Sequence, residues 1–171
     1  SKNTVILAPT GVAAINAGGQ TIHSFFHLPF GPFVVNDKRL RTSKDLGDLD
    51  NTTIYSTFKY RDDKKIIIEQ LELLIIDEIS MVRCDTLDVI DKILRVFRKK
   101  PFLPFGGVQV ILIGDTFQLP PIADFAQWEI LKDYYDSPFF FSSKIVAENK
   151  PIYKELKKIY LRKDQADGTN F

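Results

Sequence analysis

Apolar and polar positions alternate along the chain in blocks that predict strands and helices in turn. Residues 4–8 (TVILA), 73–76 (LLII) and 108–113 (VQVILI) are short apolar runs rich in β-branched residues, which is typical of strands buried on both faces. Apolar residues at steps of three and four along residues 83–99 predict an amphipathic helix. Strands that alternate with helices indicate an α/β fold with a mostly parallel sheet and helices outside it.

Weaker patterns predict the remaining elements. Further helices are expected at residues 12–15, ended by Gly18 and Gly19, at residues 22–28, capped by Thr21, at residues 60–72, and at residues 125–135. The Gly-, Pro- and Asp-rich residues 29–51 predict a long surface excursion. Residues 139–149 predict a strand, or a loop running into one, and residues 155–161 predict a last strand.

Composition narrows the class of protein only slightly. A chain of 171 residues suits one domain, and its net charge of +1 argues neither for nor against a nucleic-acid partner. Cys84 is the only cysteine, so an internal disulfide is excluded and a reducing compartment is favoured. No apolar run approaches a membrane span, and the N-terminus resembles the middle of a domain rather than a signal peptide.

Two of the predicted strands end on acidic residues. Asp77 and Glu78 follow one strand and Asp115 follows another. Because ligands of parallel sheets gather at the carboxyl ends of the strands, these acids are expected to face one crevice, where Asp115 helps to bind the ligand. The pattern is typical of a Walker B element, with Asp77 holding Mg²⁺ and Glu78 polarising the water that attacks a phosphoanhydride. The alternative is that Asp77 caps the following helix and Glu78 is solvated.

Polar residues after two of the strands extend the predicted site. In GDTFQLPP (residues 114–121), Gln118 is placed to contact a terminal phosphate, although a plain proline-rich turn is the alternative. In APTGVAAINAGGQTIHSFF (residues 8–26), the Thr-Gly step exposes backbone N–H groups suited to a phosphate. His23 and the adjacent aromatic residues could face a nucleotide base. The alternatives are a structural histidine and, favoured for Phe25 and Phe26, a place in the core.

Four stretches in this order resemble the motifs of the Pif-type (petite-integration-frequency) DNA helicases, in the B branch of superfamily one. They are APTGVAAINAGGQTIHSFF, LLIIDEISMVRCDTLD, PFGGVQVILIGDTFQLPPI and ELKKIYLRKD. The resemblance implies an ATP- and Mg²⁺-dependent motor that moves 5′ to 3′ on single-stranded DNA, unwinds forked duplexes and serves DNA repair and telomere maintenance. It also implies a RecA-like, three-layer P-loop NTPase fold, with residues 1–171 forming part of the first motor domain.

The resemblance assigns roles to individual residues. Asp77 and Glu78 match the Walker B acids, and Gln118 matches the glutamine that contacts the γ-phosphate. The residues that match the strand-binding motifs are Pro9, Thr10, Gly11, His23 and Ser24. The stretch 83–107 resembles a signature region implicated in coupling.

The C-terminal motif departs from the family pattern. This chain has IYLRKDQ where the family motif is closer to IYRQxD. Leu161 is inserted before Arg162, and Lys163 takes the place of the glutamine. Arg162 is expected to stabilise charge in the transition state, with an ordinary surface arginine as the alternative.

A second departure is the absence of a G-x-x-x-x-G-K-[ST] motif from the 171 residues. The resemblance then implies a fragment that begins after the Walker A helix, lacks the Walker A strand and is inactive alone. Two apolar strand edges would lack a neighbour, so we expect the chain to recruit a strand from a second copy or to be poorly stable.

Two other classes of function remain open at this point. One is a different P-loop ATPase, acting on protein, and the other is a DNA-binding module without catalysis. The basic clusters at residues 38–41 and 59–65 are best explained as solvated faces. The expected location is the cytoplasm for a bacterial-type protein, and the nucleus or mitochondrion for a eukaryotic one.

Overall fold

The computed structural model describes residues 2–43, 49–121 and 123–156. These residues form one sheet of four parallel strands in the order β2-β1-β3-β4. The strands are β1 (Thr4–Ala8), β2 (Gln20–Thr21), β3 (Leu73–Ile76) and β4 (Gln109–Leu112). The parallel α/β fold predicted from the sequence is therefore confirmed.

Helices and short 3-10 turns connect the strands. The helices are α1 (Gly11–Ala17), α2 (Ile22–Phe26), α3 (Ile54–Thr57), α4 (Asp62–Gln70), α5 (Cys84–Phe97), α6 (Phe125–Leu131) and α7 (Lys144–Glu148). The 3-10 turns span Lys38–Leu40, Ile79–Met81, Pro104–Gly107 and Phe140–Ser142. Gly18 ends α1 in the left-handed conformation, and the Thr21 hydroxyl caps α2, both as predicted. No helix in the described part of the chain is long and apolar enough to cross a membrane.

The helices lie on both faces of the sheet. The chain moves from β1 outward to β2, then returns past β1 to β3 and β4, so the direction of strand order reverses between β1 and β3. Because parallel crossovers are right-handed, α1 lies on one face and the helices that lead to β3 and β4 lie on the other. The reversal creates a crevice at the carboxyl ends of β1 and β3, which is where ligands of such sheets bind.

The core lies between the sheet and α5. Leu7, Leu74 and Ile76 on one face of the sheet are fully buried, and they belong to the same hydrophobic cluster as Leu87 and Ile90 of α5. Phe25 and Phe26 also belong to this cluster, which confirms the core assignment favoured for them. The apolar periodicity of residues 83–99 thus describes the face that α5 turns toward the strands.

The prediction that β3 and β4 are buried on both faces is wrong. Ile75 is half-buried, Ile111 is 39% exposed, and Ile113 just after β4 is 47% exposed. These side chains point to the face that carries α1, and α1 has only seven residues that pack on β1 and β2. Among the described residues, β4 is also one of the two edge strands of the sheet.

Two loop predictions also need correction. Residues 139–149 contain helix α7 rather than a strand, because the Ser143 hydroxyl accepts the N–H of Val146 and caps that helix. The excursion at residues 29–51 is anchored to the core, since Phe33 is buried and donates its N–H to Asp85. The strand expected at residues 155–161 falls mostly outside the described residues.

Candidate functional site

Asp77 and Glu78 lie at the carboxyl edge of the sheet, directly after β3. The Asp77 N–H donates to the carbonyl oxygen of Leu7 in β1 at 2.8 Å. On the other side, the Ile79 N–H donates to the carbonyl oxygen of Ile113, after β4, at 2.9 Å. The two acids are therefore held between the ends of β1 and β4, at the carboxyl edge of the sheet where the sequence analysis expected them.

The backbone at these acids has an unusual conformation. Glu78 has φ 51° and ψ 46°, in the left-handed region that few residues other than glycine adopt. The Asp77 carboxylate accepts the Glu78 N–H at 2.9 Å, and Glu78, without a side-chain cap bond, is the residue before the turn Ile79–Met81. The alternative that Asp77 caps the next helix is thus not what the structure shows. Strain of this kind is concentrated at functional sites, because folding alone does not require it.

The end of β4 packs directly against the acidic segment. A Cβ atom on Gly114 would lie 2.9 Å from the backbone nitrogen of Ile79, so only glycine allows this approach. Asp115 and Gln118 follow immediately and are exposed at the same edge. The close contact at Gly114 therefore places Asp77 and Gln118 on the same side of the molecule, as the predicted site requires.

Asp115 shapes the loop that carries Gln118. Its carboxylate accepts the Phe117 N–H at 2.9 Å, and its other oxygen lies 3.4 Å from the Gln118 side-chain nitrogen. The Gln118 N–H also donates to the Asp115 carbonyl oxygen at 3.1 Å. Asp115 thus orients Gln118, a role that the sequence analysis did not assign to it.

The donors at this edge suit a magnesium ion that also binds phosphates. Mg²⁺ usually takes one or two protein carboxylates and completes its shell with water and phosphate oxygens. Asp77 provides such an oxygen, with Glu78 next to it in the chain, and the described residues contain no dedicated cluster of three or more metal-binding side chains. Beside them, the buried hydroxyl of Ser80 has no hydrogen-bond partner among the described residues, so one polar atom at this edge is still available.

A cavity of about 360 Å³ lies beyond the end of β1, and its lining includes Pro9 and Thr10, which follow β1, and Met81 and Val82, which follow the acids. Three of the predicted strand-binding residues line it, namely Pro9, Thr10 and His23. Gly11 and Ser24 are exposed at the first turns of α1 and α2 and do not line the cavity. The structure therefore brings three of the five predicted residues to one place, just beyond the end of β1.

Side chains that the sequence analysis did not select complete the cavity wall. They include Phe30, Arg83, Asp124 and Gln127. The Phe30 ring is 94% exposed and stacks on His23, with 6.3 Å between ring centroids. Phe30 is an aromatic residue seven positions after a candidate DNA-binding histidine, and this spacing could have identified it as a binding residue. It was not selected because it lies in residues 29–51, which were predicted to be a surface excursion. No local sequence pattern indicated that Arg83 and Gln127 line this cavity.

The surroundings of His23 lower the pKa of its side chain, so its neutral form is favoured at neutral pH. Protein atoms on its inner side desolvate the ring and lower its pKa below the ordinary 6.5, and the positive charge of Arg83 lowers that pKa further. Asp85 acts in the opposite direction but with a smaller effect. His23 therefore offers hydrogen bonds and a ring face to a ligand at pH 7, rather than a positive charge.

Arg162 lies outside the described residues. Its assignment as the arginine that stabilises the transition state stays a prediction.

The chain resembles known proteins over most of its length. The sequence model of the family described as PIF1-like helicase matches residues 1–137. The chain is 34% identical to the ATP-dependent DNA helicase RRM3 of Saccharomyces cerevisiae over 138 residues, which cover 80% of this chain and 16% of that protein. It is 32% identical to the ATP-dependent DNA helicase PIF1 of Homo sapiens over 167 residues, covering 95% of this chain and 21% of that protein.

Solved structures show the same similarity. Pif1 of Bacteroides sp. in complex with ADP-AlF4 is 46% identical with a TM-score of 0.72, covering 87% of this chain and 30% of that one. Bacteroides Pif1 bound to single-stranded DNA is also 46% identical, with a TM-score of 0.71 and coverage of 86% and 30%. The chain thus spans about a sixth to a fifth of these curated relatives and under a third of the solved chains.

Proposed function

The chain belongs to the PIF1-like helicase family, and we propose that it supplies part of the motor of an ATP-dependent DNA helicase that moves 5′ to 3′ on single-stranded DNA. One observation carries this proposal: the end of β1 connects the acidic edge of the sheet to a cavity that is lined by three of the predicted strand-binding residues. The Asp77 N–H donates to the carbonyl oxygen of Leu7, and the cavity residues Pro9 and Thr10 follow Leu7 by two and three positions. A motor needs these two sites to be adjacent.

On the nucleotide side, each residue has a distinct role. Asp77 would hold Mg²⁺, which neutralises charge on the phosphates when it is bound. Glu78 would accept the proton of the attacking water, and Gln118, oriented by Asp115, would contact the terminal phosphate. The 171 residues contain no phosphate-binding lysine motif, so we expect the isolated chain not to hydrolyse ATP.

On the DNA side, the strand would run along the exposed ends of β1 and α2. Pro9, Thr10 and Gly11 would lie beside the sugar-phosphate backbone, and His23 and Ser24 would approach it from α2. The Thr10 hydroxyl accepts the Ala13 N–H at 3.2 Å, which sets the direction of the first turn of α1, and the O–H of the same hydroxyl would donate to a phosphate oxygen.

The proposal is tested on the full-length product of the gene that encodes this chain. We expect its ATP hydrolysis to rise at least about tenfold on adding single-stranded DNA, and a duplex with a 5′ tail to be unwound in preference to one with a 3′ tail. A rate of ATP hydrolysis that does not change when single-stranded DNA is added would instead indicate an ATPase acting on protein. DNA binding without hydrolysis would point to a non-catalytic module.

Phe30→Ala should weaken the binding of single-stranded DNA by about tenfold, because stacking of a base on an aromatic ring contributes about 1–3 kcal/mol. The Phe30 ring is available for stacking, since 94% of the surface of Phe30 is exposed and the ring that stacks on it is that of His23. Fluorescence anisotropy of a labelled oligo(dT) measures the change in Kd. Phe102→Ala is the matched control, because Phe102 is 91% exposed but does not line the cavity. Equal losses in the two variants would contradict a specific stacking role.

We also propose that the isolated chain self-associates through the outer edge of β4. In the described residues this edge has no neighbouring strand, and Ile111 and Ile113 beside it are exposed. Sedimentation velocity at several concentrations should show a dimer or larger species. A single monomeric species that stays folded on heating would contradict this proposal.

A further inference from the structure

Arg83 joins three separate segments around the cavity that is lined by Pro9, Thr10 and His23. We propose that Arg83 is the positioning residue that holds this cavity in its DNA-binding shape. The inference rests on the proposed function, because it assumes that single-stranded DNA occupies this cavity. Arg83 is a positioning residue in this view, since it acts through the walls that it holds rather than on the reacting atoms.

The first link runs from Arg83 to the loop that carries Phe30. The Arg83 guanidinium forms a bidentate pair with Asp85, with Nε at 2.5 Å and Nη2 at 2.9 Å from the two carboxylate oxygens. Asp85 is completely buried and also accepts the Phe33 N–H at 2.8 Å. Arg83 Nη2 additionally lies 3.3 Å from the Gly31 carbonyl oxygen. The loop is therefore tied to Arg83 directly at Gly31 and, through Asp85, at Phe33.

The second link runs from Arg83 to helix α6. Arg83 Nη1 donates to the Gln127 side-chain oxygen at 2.7 Å. Gln127 lies in the first turn of α6, where its N–H donates to the capping residue Asp124 at 2.7 Å. Asp124 and Gln127 both line the cavity, so the hydrogen bond between Arg83 and Gln127 fixes the part of the cavity wall that α6 provides.

The third link is the chain itself. Arg83 follows Glu78 by five residues, and Ile79, Ser80 and Val82 between them are buried. The position of Arg83 is therefore set by the same segment that carries the acids.

Only arginine can make these links together. Its planar guanidinium presents five N–H donors in a fixed fork, whereas lysine has one ammonium group that cannot reach the carboxylate, the Gly31 carbonyl and Gln127 at the same time. Lysine nevertheless keeps the positive charge, so Arg83→Lys separates the geometry of the side chain from its electrostatic attraction for DNA.

The test measures single-stranded DNA affinity in Arg83→Lys, Gln127→Ala and the double variant, using the full-length product and labelled oligo(dT). We expect each single variant to bind about five- to tenfold more weakly, and the double variant to bind no more weakly than Arg83→Lys. Such non-additivity is specific to a shared link, and a general loss of stability would not produce it. The dependence of Kd on salt should keep its wild-type slope, because the charge contacting phosphates is unchanged.

The matched control is Arg95→Lys. Arg95 forms a comparable pair with Asp91 on the same helix, and neither residue lines the cavity, so DNA affinity should stay at the wild-type value. Gln127→Ala decides the matter if Arg83→Lys fails to fold, because it removes only a side-chain acceptor from a helix. Wild-type affinity in Gln127→Ala, or fully additive losses, would overturn the inference. A wild-type protein that does not bind DNA would overturn the proposed function together with it.

Discussion

Glu78→Gln should lower the rate of ATP hydrolysis by about 10²–10⁴-fold while leaving nucleotide affinity unchanged, because it removes the general base and no binding group. Glutamine has the size of glutamate and keeps hydrogen-bonding capacity, but it cannot accept the proton of the attacking water. Asp77, which would hold the metal, is untouched. Steady-state turnover and the Kd of a fluorescent ATP analogue, both measured on the full-length product, separate the two effects.

Glu69→Gln is the control for this prediction. Glu69 is exposed on α4, the helix that leads into β3, and is not placed at the sheet edge that carries Glu78. Its replacement should change neither turnover nor affinity. If Glu78→Gln loses nucleotide affinity as strongly as turnover, then Glu78 is a binding residue and the proposed role is wrong.

The left-handed backbone at Glu78 adds a second way to test the same role. Glycine adopts φ 51° without the steric cost that glutamate pays there, although it is more flexible in the unfolded chain. Glu78→Gly should therefore leave the free energy of unfolding within about 1 kcal/mol of the wild type, while hydrolysis is lost. A large loss of stability would mean that the carboxylate supports the fold rather than the chemistry.

Asp85→Asn should lower the free energy of unfolding by about 3–5 kcal/mol, because breaking a buried pair leaves an uncompensated charge. The Asp85 carboxylate accepts three hydrogen bonds, from Nε and Nη2 of Arg83 and from the N–H of Phe33. Asparagine has a single acceptor oxygen, and its amide hydrogens would face one of these donors. Chemical unfolding monitored by circular dichroism measures the loss, and the midpoint of thermal unfolding should fall by about 10 °C.

Asp62→Asn provides the comparison for a solvated pair. Asp62 pairs with Lys65 at 3.0 Å, but its side chain is 93% exposed, so its loss should cost less than about 0.5 kcal/mol. Similar small effects for both substitutions would contradict the view that the Arg83–Asp85 pair is a structural link of the cavity.

The order of elements and the acidic edge were predictable from the sequence because their signals are local. The run Leu73–Ile76 followed by Asp77 marks a strand end, and parallel strands bring their carboxyl ends to one edge whatever the details of packing. The start of α2 was predictable from Thr21 for the same reason, since the capping hydroxyl accepts the N–H of Ser24, only three positions away.

Burial of the strands was not predictable in this way. Apolar composition made β4 resemble a strand buried on both faces, but the exposure of Ile111 depends on how far α1 reaches across the sheet. The apolar sequence of β4 carries no information on how far α1 extends across the sheet. The same limit applies to Phe33, whose burial depends on the position of Asp85.

The amino-acid sequence by itself determined the parallel α/β fold, the pair Asp77–Glu78 at a strand end and the segment that carries Thr10 and His23. Only the tertiary structure decided what surrounds His23, because Arg83 meets Gly31 and Gln127 across separations of 52 and 44 residues. Contacts over such distances depend on the packing of whole elements, whereas strand ends and helix caps depend on neighbours within a few residues.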